Sequence, residues 1–207
     1  MPDLYLASTS PRRRALLQQA AITFELCEPG PEYVDAGIDE HGSEAGDPAA
    51  HALARAVRKA TGSRSPNPRV PVLGVDTVVD LEGEELGKPR SREHAEEMLR
   101  RLAGRRHRVH TAHCLFVPAG AFCATLVTHA TVTCGTPSPT DLARYLDSGE
   151  WHGKAGSYGI QDGAQHFLAV ADGAFDTVLG MHVPAVRELL AQWEAAQGHA
   201  PPGRESS

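Results

Sequence analysis

The chain has 207 residues, 41% of them hydrophobic, enough for one large domain or two small lobes around a shared sheet. A net charge of −6 argues against a general nucleic-acid binder, which is usually basic. The four cysteines show no C-x-x-C spacing, no apolar run is long enough to span a membrane and the N-terminus does not read as a signal peptide, so free thiols and a cytoplasmic location are expected, without a zinc centre.

Leu4-Tyr5-Leu6-Ala7 reads as a buried strand. Ser10 and Pro11 then supply an N-cap and a first helical residue. The helix is expected over 11–21, with Leu16, Leu17, Ala20 and Ala21 on one side. Arg12, Arg13 and Arg14 crowd its positive end, where the helix dipole disfavours cations. A bound anion would relieve that conflict, so Ser8, Ser10, Arg12 and Arg13 form a candidate phosphate site. A solvated basic turn is the competing reading.

Residues 22–27 suggest a second strand. Residues 28–47 are acidic, contain no Lys or Arg, and offer oxygen ligands for a hard cation such as Mg²⁺. Pro48 opens a helix to about residue 60, with Ala52, Leu53, Ala56 and Val57 at helical spacing. Taken alone, Glu40 and Lys59 read as solvated charges. After a loop over 62–71, the apolar strand 72–79 carries Asp76. A carboxylate there must be paired, bind a metal or face a cleft. An edge-strand Asp satisfied by a helix terminus would also account for it. A hairpin near Glu82-Gly83 leads to Lys88, held extended by Pro89 and able to reach a phosphate or Asp76, though taken alone it reads as a surface lysine.

Ser91 caps the next helix, whose stripe is Ala95, Met98, Leu99, Leu102 and Ala103 and which Gly104 ends. Two long strands follow, 106–117 and 122–134. His107 and His113 share a face of the first and His110 points the other way, which argues against a zinc cluster. A helix from Ser138-Pro139 to Gly149 precedes a glycine-rich stretch, 153–163, holding Lys154, Tyr158 and Gln161. The Gln161 amide carries a donor beside an acceptor, matching O4 and N3–H of uracil or thymine; a loop Gln bonded to its own backbone is the alternative. A strand at 166–170, a helix at 184–196 and a disordered tail from 198 complete the expectation. P-loop, dinucleotide-binding, zinc-protease and nucleophile-elbow motifs are absent. Alternating elements with one long hairpin predict an α/β fold, a mixed sheet flanked by helices, in a single domain over 1–197.

These segments together resemble the Maf family of nucleoside triphosphate pyrophosphatases. The matching pieces are Leu6-Ala7-Ser8-Thr9-Ser10-Pro11-Arg12-Arg13, Ile38-Asp39-Glu40, Ala56 with Lys59-Ala60, Gly74-Val75-Asp76-Thr77, Lys88-Pro89, Gly104 with His107, Val109 and Thr111, and Lys154 through Gln161. The resemblance implies an elongated inosine triphosphatase-like fold with a cleft between two lobes. It also implies hydrolysis of a nucleoside triphosphate to the monophosphate and pyrophosphate with a divalent cation, Mg²⁺ or Mn²⁺. Asp76 matches the proton acceptor. Ser8, Arg13, Glu40, Lys59 and Lys88 match other active-site positions, with Glu40 and Asp76 as the metal pair. Arg12, Thr77 and Gln161 match the positions that mark the branch preferring dTTP and UTP. A homodimer, with neither nucleic acid nor membrane as partner, is implied too. Three positions depart from the family pattern: Asp162 for a Gly, His182 for a Pro and Gly153 for an Asp. Two other readings stay open, a regulatory binding protein of septum formation and a hydrolase for 7-methyl-GTP or for ITP and XTP.

Overall fold

A computed structural model describes residues 1–31, 46–120 and 122–198. Glu40, most of the acidic loop and the tail from 199 lie outside the described residues. The strands are β1 (Leu4–Ala7), β2 (Phe24–Leu26), β3 (Val72–Leu81), β4 (Glu84–Leu86), β5 (Arg106–Val117), β6 (Phe122–Cys134) and β7 (Leu168–Asp172). The helices are α1 (Pro11–Gln19), α2 (Pro48–Thr61), α3 (Arg92–Leu102), α4 (Pro139–Ser148), α5 (Phe175–Leu179) and α6 (Val183–Gly198). The fold is α/β, with one mixed seven-stranded sheet in the order β2-β1-β3-β5-β6-β7 and β4 paired to β3. β1 is parallel to β2 and β3, and the remaining pairings are antiparallel. Among the described residues no helix is long and apolar enough to cross a membrane.

Strand alternation assigns the two faces. On one, Leu4, Leu6, Leu73, Val75 and Leu115 pack with Leu17, Met181, Val186 and Leu189 from α1 and the α5–α6 region. Each leucine buried there contributes roughly 2 kcal/mol. On the other, Val78, Ala112 and Cys114 pack under Ala52, Ala56 and Ala60 of α2. That second layer is thin. A Cβ on Gly74 would overlap the Ala56 carbonyl oxygen and lie 2.7 Å from the Ala60 nitrogen, so α2 rests directly on the β3 backbone.

Several expected boundaries shift. α1 stops at Gln19, because Ala21 takes a positive φ of 54° that a helix does not tolerate, and of its expected stripe only Leu17 is buried. β7 begins at Leu168 rather than 166, since Gly163–His166 forms a 3₁₀ turn first. α5 was not expected, being only five residues long and ended by Gly180 at φ 104°.

The pairing leaves a gap along one edge of β3. β1 ends opposite Gly74, and antiparallel β4 ends opposite Val79. Between those points residues 75–78 pair only with β5. The Ser8–Arg13 turn leaves from the end of β1 and Lys88 follows the end of β4, so both emerge at the gap. Diverging strand ends of this kind are where α/β sheets form crevices.

Candidate active site

The gap opens into a cleft of about 580 Å³ lined by Ser8, Ser10, Arg12, Arg13, Lys59, Asp76, Thr77, Lys88, Lys154 and Tyr158, among others. That volume suits a small ligand. Because the edge is open, residues from both faces of β3 reach one cleft, with Asp76 on the α2 side and Thr77 on the α5 side. Among the described lining residues the cations Arg12, Arg13, Lys59, Lys88 and Lys154 accompany a single carboxylate, Asp76.

Asp76 is 4% exposed and lies on the stretch of β3 whose one edge is open. Lys59, from the last turn of α2, donates to its Oδ1 at 2.6 Å. Lys59 is therefore buried and paired, contrary to its reading as a solvated charge. The i, i+4 spacing of helix α2 aligns His51, Arg55 and Lys59 beside the alanine stripe. Arg55 donates to both carboxylate oxygens of Glu85 at 2.5 and 3.1 Å, and His51 Nδ1 lies 3.0 Å from Glu85 Oε2. Arg55 Nη1 is also 3.8 Å from Asp76 Oδ2. Among the described residues Asp76 Oδ2 is buried and has no hydrogen-bond partner. A buried carboxylate oxygen with open lone pairs costs free energy unless a ligand, water or ion completes it.

The opposite wall is built on the turn after β1. Ser10 occupies the N-cap position of α1, but its hydroxyl caps nothing. Ser8 closes the turn instead, its Oγ accepting from the Ser10 N–H at 3.2 Å and from Arg13 Nη1 at 3.1 Å. The first-turn N–H groups of α1 thus keep no side-chain cap, which leaves a helix N-terminus suited to an anion. Arg13 donates further to the Gly180 carbonyl at 2.8 Å and to Thr77 Oγ1 at 3.2 Å, and Thr77 meets Thr111 Oγ1 at 3.0 Å. Arg12 is held below the usual guanidinium range by burial, partly offset by Tyr145, and Lys154 is lowered by burial and then by Arg12. Each would be relieved by an anion.

Gln161 lies elsewhere. It is exposed and lines a separate hollow with Ile160, Gln165, Leu168, Ala169, Val170 and Phe175. α5 and the segment 158–161 border both hollows. The three histidines of β5 also go separate ways: His107 Nε2 meets Tyr158 Oη at 2.7 Å, His110 meets Asp80 at 3.1 Å, and His113 Nε2 accepts from the His182 N–H at 2.9 Å. His51, Arg55 and Glu85 were not singled out from the sequence. Their signal was a charge at helical spacing on the buried side of α2, facing a charge in a hairpin strand.

A family model described as Maf-like protein matches residues 3–193. The chain belongs to the Maf family. A relative in Burkholderia lata (strain ATCC 17760 / DSM 23089 / LMG 22485 / NCIMB 9086 / R18194 / 383), named dTTP/UTP pyrophosphatase, is 40% identical over 193 residues, covering 91% of this chain and 92% of its own. Proteins of the same name in Escherichia coli O6:K15:H31 and Shigella dysenteriae serotype 1 are each 39% identical over 196 residues, covering 94% of this chain and 95% of theirs. Of the Maf segments quoted from the sequence, those holding Ser8–Arg13, Lys59, Asp76–Thr77, Lys88 and Lys154 line the cleft, and Gln161 lines the neighbouring hollow.

Proposed function

We propose that this Maf protein hydrolyses dTTP and UTP to the nucleoside monophosphate and pyrophosphate, using a divalent cation, Mg²⁺ or Mn²⁺. The observation that carries the reading is Asp76, with Lys59 fixed on one carboxylate oxygen and the other oxygen without a hydrogen bond among the described residues, in a cleft rich in cations. The names of the relatives in B. lata and E. coli support the substrate pair.

Asp76 Oδ2 accepts a proton as water attacks the α-phosphorus. The new P–O bond forms, the Pα–O–Pβ bond breaks, and pyrophosphate departs. Lys59 holds the carboxylate in place. Ser8, Ser10, Arg12, Arg13 and Lys88 bind the phosphates and stabilise charge on the leaving group. Asp76 offers a hard oxygen donor, and Mg²⁺ commonly takes one or two carboxylates and completes its shell with phosphate oxygens and water. Asp76 and Glu40 would hold the ion, which supplies charge neutralisation and acidifies bound water. Arg12, Thr77 and Gln161 set the base preference. The contact of Thr77 with Arg13 suggests that Thr77 acts through that arginine, while Gln161 reads the pyrimidine edge from the adjoining hollow. A cytoplasmic homodimer belongs to the same reading.

The test is pyrophosphate release across UTP, dTTP, CTP, 7-methyl-GTP, ITP and ATP with Mg²⁺ or Mn²⁺. UTP and dTTP are expected to be turned over selectively. Preference for 7-methyl-GTP or ITP overturns the base assignment, and no turnover from folded, metal-supplied protein overturns the enzyme reading in favour of a binding protein.

A further inference from the structure

Lys154 lines the cleft beside the phosphate turn, and it does not face that cleft alone. Its Nζ donates to the carboxylate of Asp162, the residue that stands where the family usually has glycine. Backbone geometry builds the pair. Gly153 and Gly156 both adopt a φ of 66° around Lys154, and the Asp162 N–H donates to the Gly159 carbonyl at 3.1 Å, closing the turn that brings residue 162 back. A Cβ on Gly159 would lie 2.9 Å from Lys154 Nζ and overlap the Asp162 carboxylate, so the ion pair occupies the space a side chain would fill. The two side chains are 12% and 28% exposed, which places the pair at the cleft margin, screened less than a surface pair.

We propose that Lys154 is a polyphosphate ligand and that Asp162 is a built-in competitor for it, an internal anion that the substrate's phosphates must displace from the ammonium group. This rests on the nucleotide-hydrolysing reading of the cleft. In the empty cleft Asp162 offsets the mutual repulsion of Lys154 and Arg12. When a polyphosphate enters, the same carboxylate becomes a like charge next to the ligand and Lys154 changes partner. Asp162 therefore weakens binding of both substrate and product, and the glycine usual at that position in the family would leave the lysine uncontested. Weak product binding favours release where product departure limits turnover.

The experiment is calorimetric titration of inorganic pyrophosphate into the full chain, with Asp162→Asn, Asp162→Gly, Lys154→Met and the Lys154→Met/Asp162→Asn double variant, alongside KM for dTTP. Asp162→Asn is expected to tighten pyrophosphate binding about fivefold and to lower KM in step, and Asp162→Gly to do the same. Lys154→Met is expected to weaken pyrophosphate binding about tenfold and to erase the Asp162→Asn gain in the double variant. Unchanged or weaker binding by folded Asp162→Asn, or a gain that persists without Lys154, overturns the proposal. The titration does not depend on turnover. A protein that hydrolyses no nucleotide yet tightens on pyrophosphate in Asp162→Asn would refute the reaction and leave the competitor standing.

Discussion

Two walls of the cleft, besides the phosphate turn, are built by opposite means. On the α2–β3 wall, Asp76, Lys59, Arg55, Glu85 and His51 are all under 9% exposed and joined in one run of charge-assisted contacts. A helix laid directly on a strand backbone holds them. The glycine-rich wall, residues 153–163, has three residues at positive φ, an ion pair at its margin and an exposed Gln161. Buried, mutually paired charges have few alternative arrangements, so their geometry is fixed before a ligand arrives. A glycine-rich segment with exposed side chains can adjust to one. The first wall suits bond breaking and the second suits recognition.

Substitutions can break that contrast. Asp76→Asn removes the proposed proton acceptor from the fixed wall and is expected to lower kcat by about 10³-fold or more with the fold intact by circular dichroism. Near-normal turnover under saturating metal would sink the assigned role. Glu85→Ala removes the carboxylate that Arg55 and His51 contact and leaves Asp76, 3.8 Å from Arg55, as the more distant one. Breaking a buried pair from one side costs about 3 kcal/mol, of order 10 °C in Tm for a chain this size. An unchanged Tm in a thermal melt would mean that the wall is not held by this pair.

Acid tests the buried histidines behind the cleft. Burial pushes His107, on Tyr158 of the glycine-rich wall, and His113, behind Arg13, down to about 4. Their unfolded values lie near 6.5, so the unfolded chain takes up protons first as pH falls. Stability from these groups is complete above about 6.5 and is lost between there and about 4, at up to roughly 1.4 kcal/mol per pH unit for each histidine. Urea midpoints at pH 7.5, 5.5 and 4.5 should fall accordingly, and His107→Gln should flatten the trend. The smallest effect is expected at the adjustable wall. Gln161→Ala should reduce the preference for UTP over CTP about tenfold while leaving Tm within a degree or two. A loss of stability instead would make Gln161 a structural residue.

Most of the sheet and helices was legible because hydrophobic periodicity and turn residues dictate them. β5 and β6 fall on the expected 106–117 and 122–134, and Ser91 and Ser138 cap α3 and α4 through their hydroxyls. Less could be read where a local rule was overridden by a partner distant in sequence. Ser10 looked like a cap, yet Ser8 closes the turn because it also receives Arg13. Lys59 looked solvated because a basic residue in a last helical turn needs no explanation. Its carboxylate lies 17 residues away on another element. The Arg55–Glu85 pair stayed hidden for the same reason, since apolar patterning registers hydrophobic residues and is silent about charges that bury each other. Asp76 was the exception. Its neighbours in β3 are so apolar that only a partner or a ligand could account for it.

Gly74 connects the packing of the sheet to the electrostatics of the cleft. With no side chain there, α2 sits as low on β3 as backbone atoms permit, and the Lys59–Asp76 distance is set by that depth. A single methyl group at residue 74 would lift the helix and draw the ammonium group off the carboxylate without altering any charge in the protein. The smallest uncharged substitution in the sheet would thus act as a change in local potential, felt at the Asp76 carboxylate before it was felt in the fold.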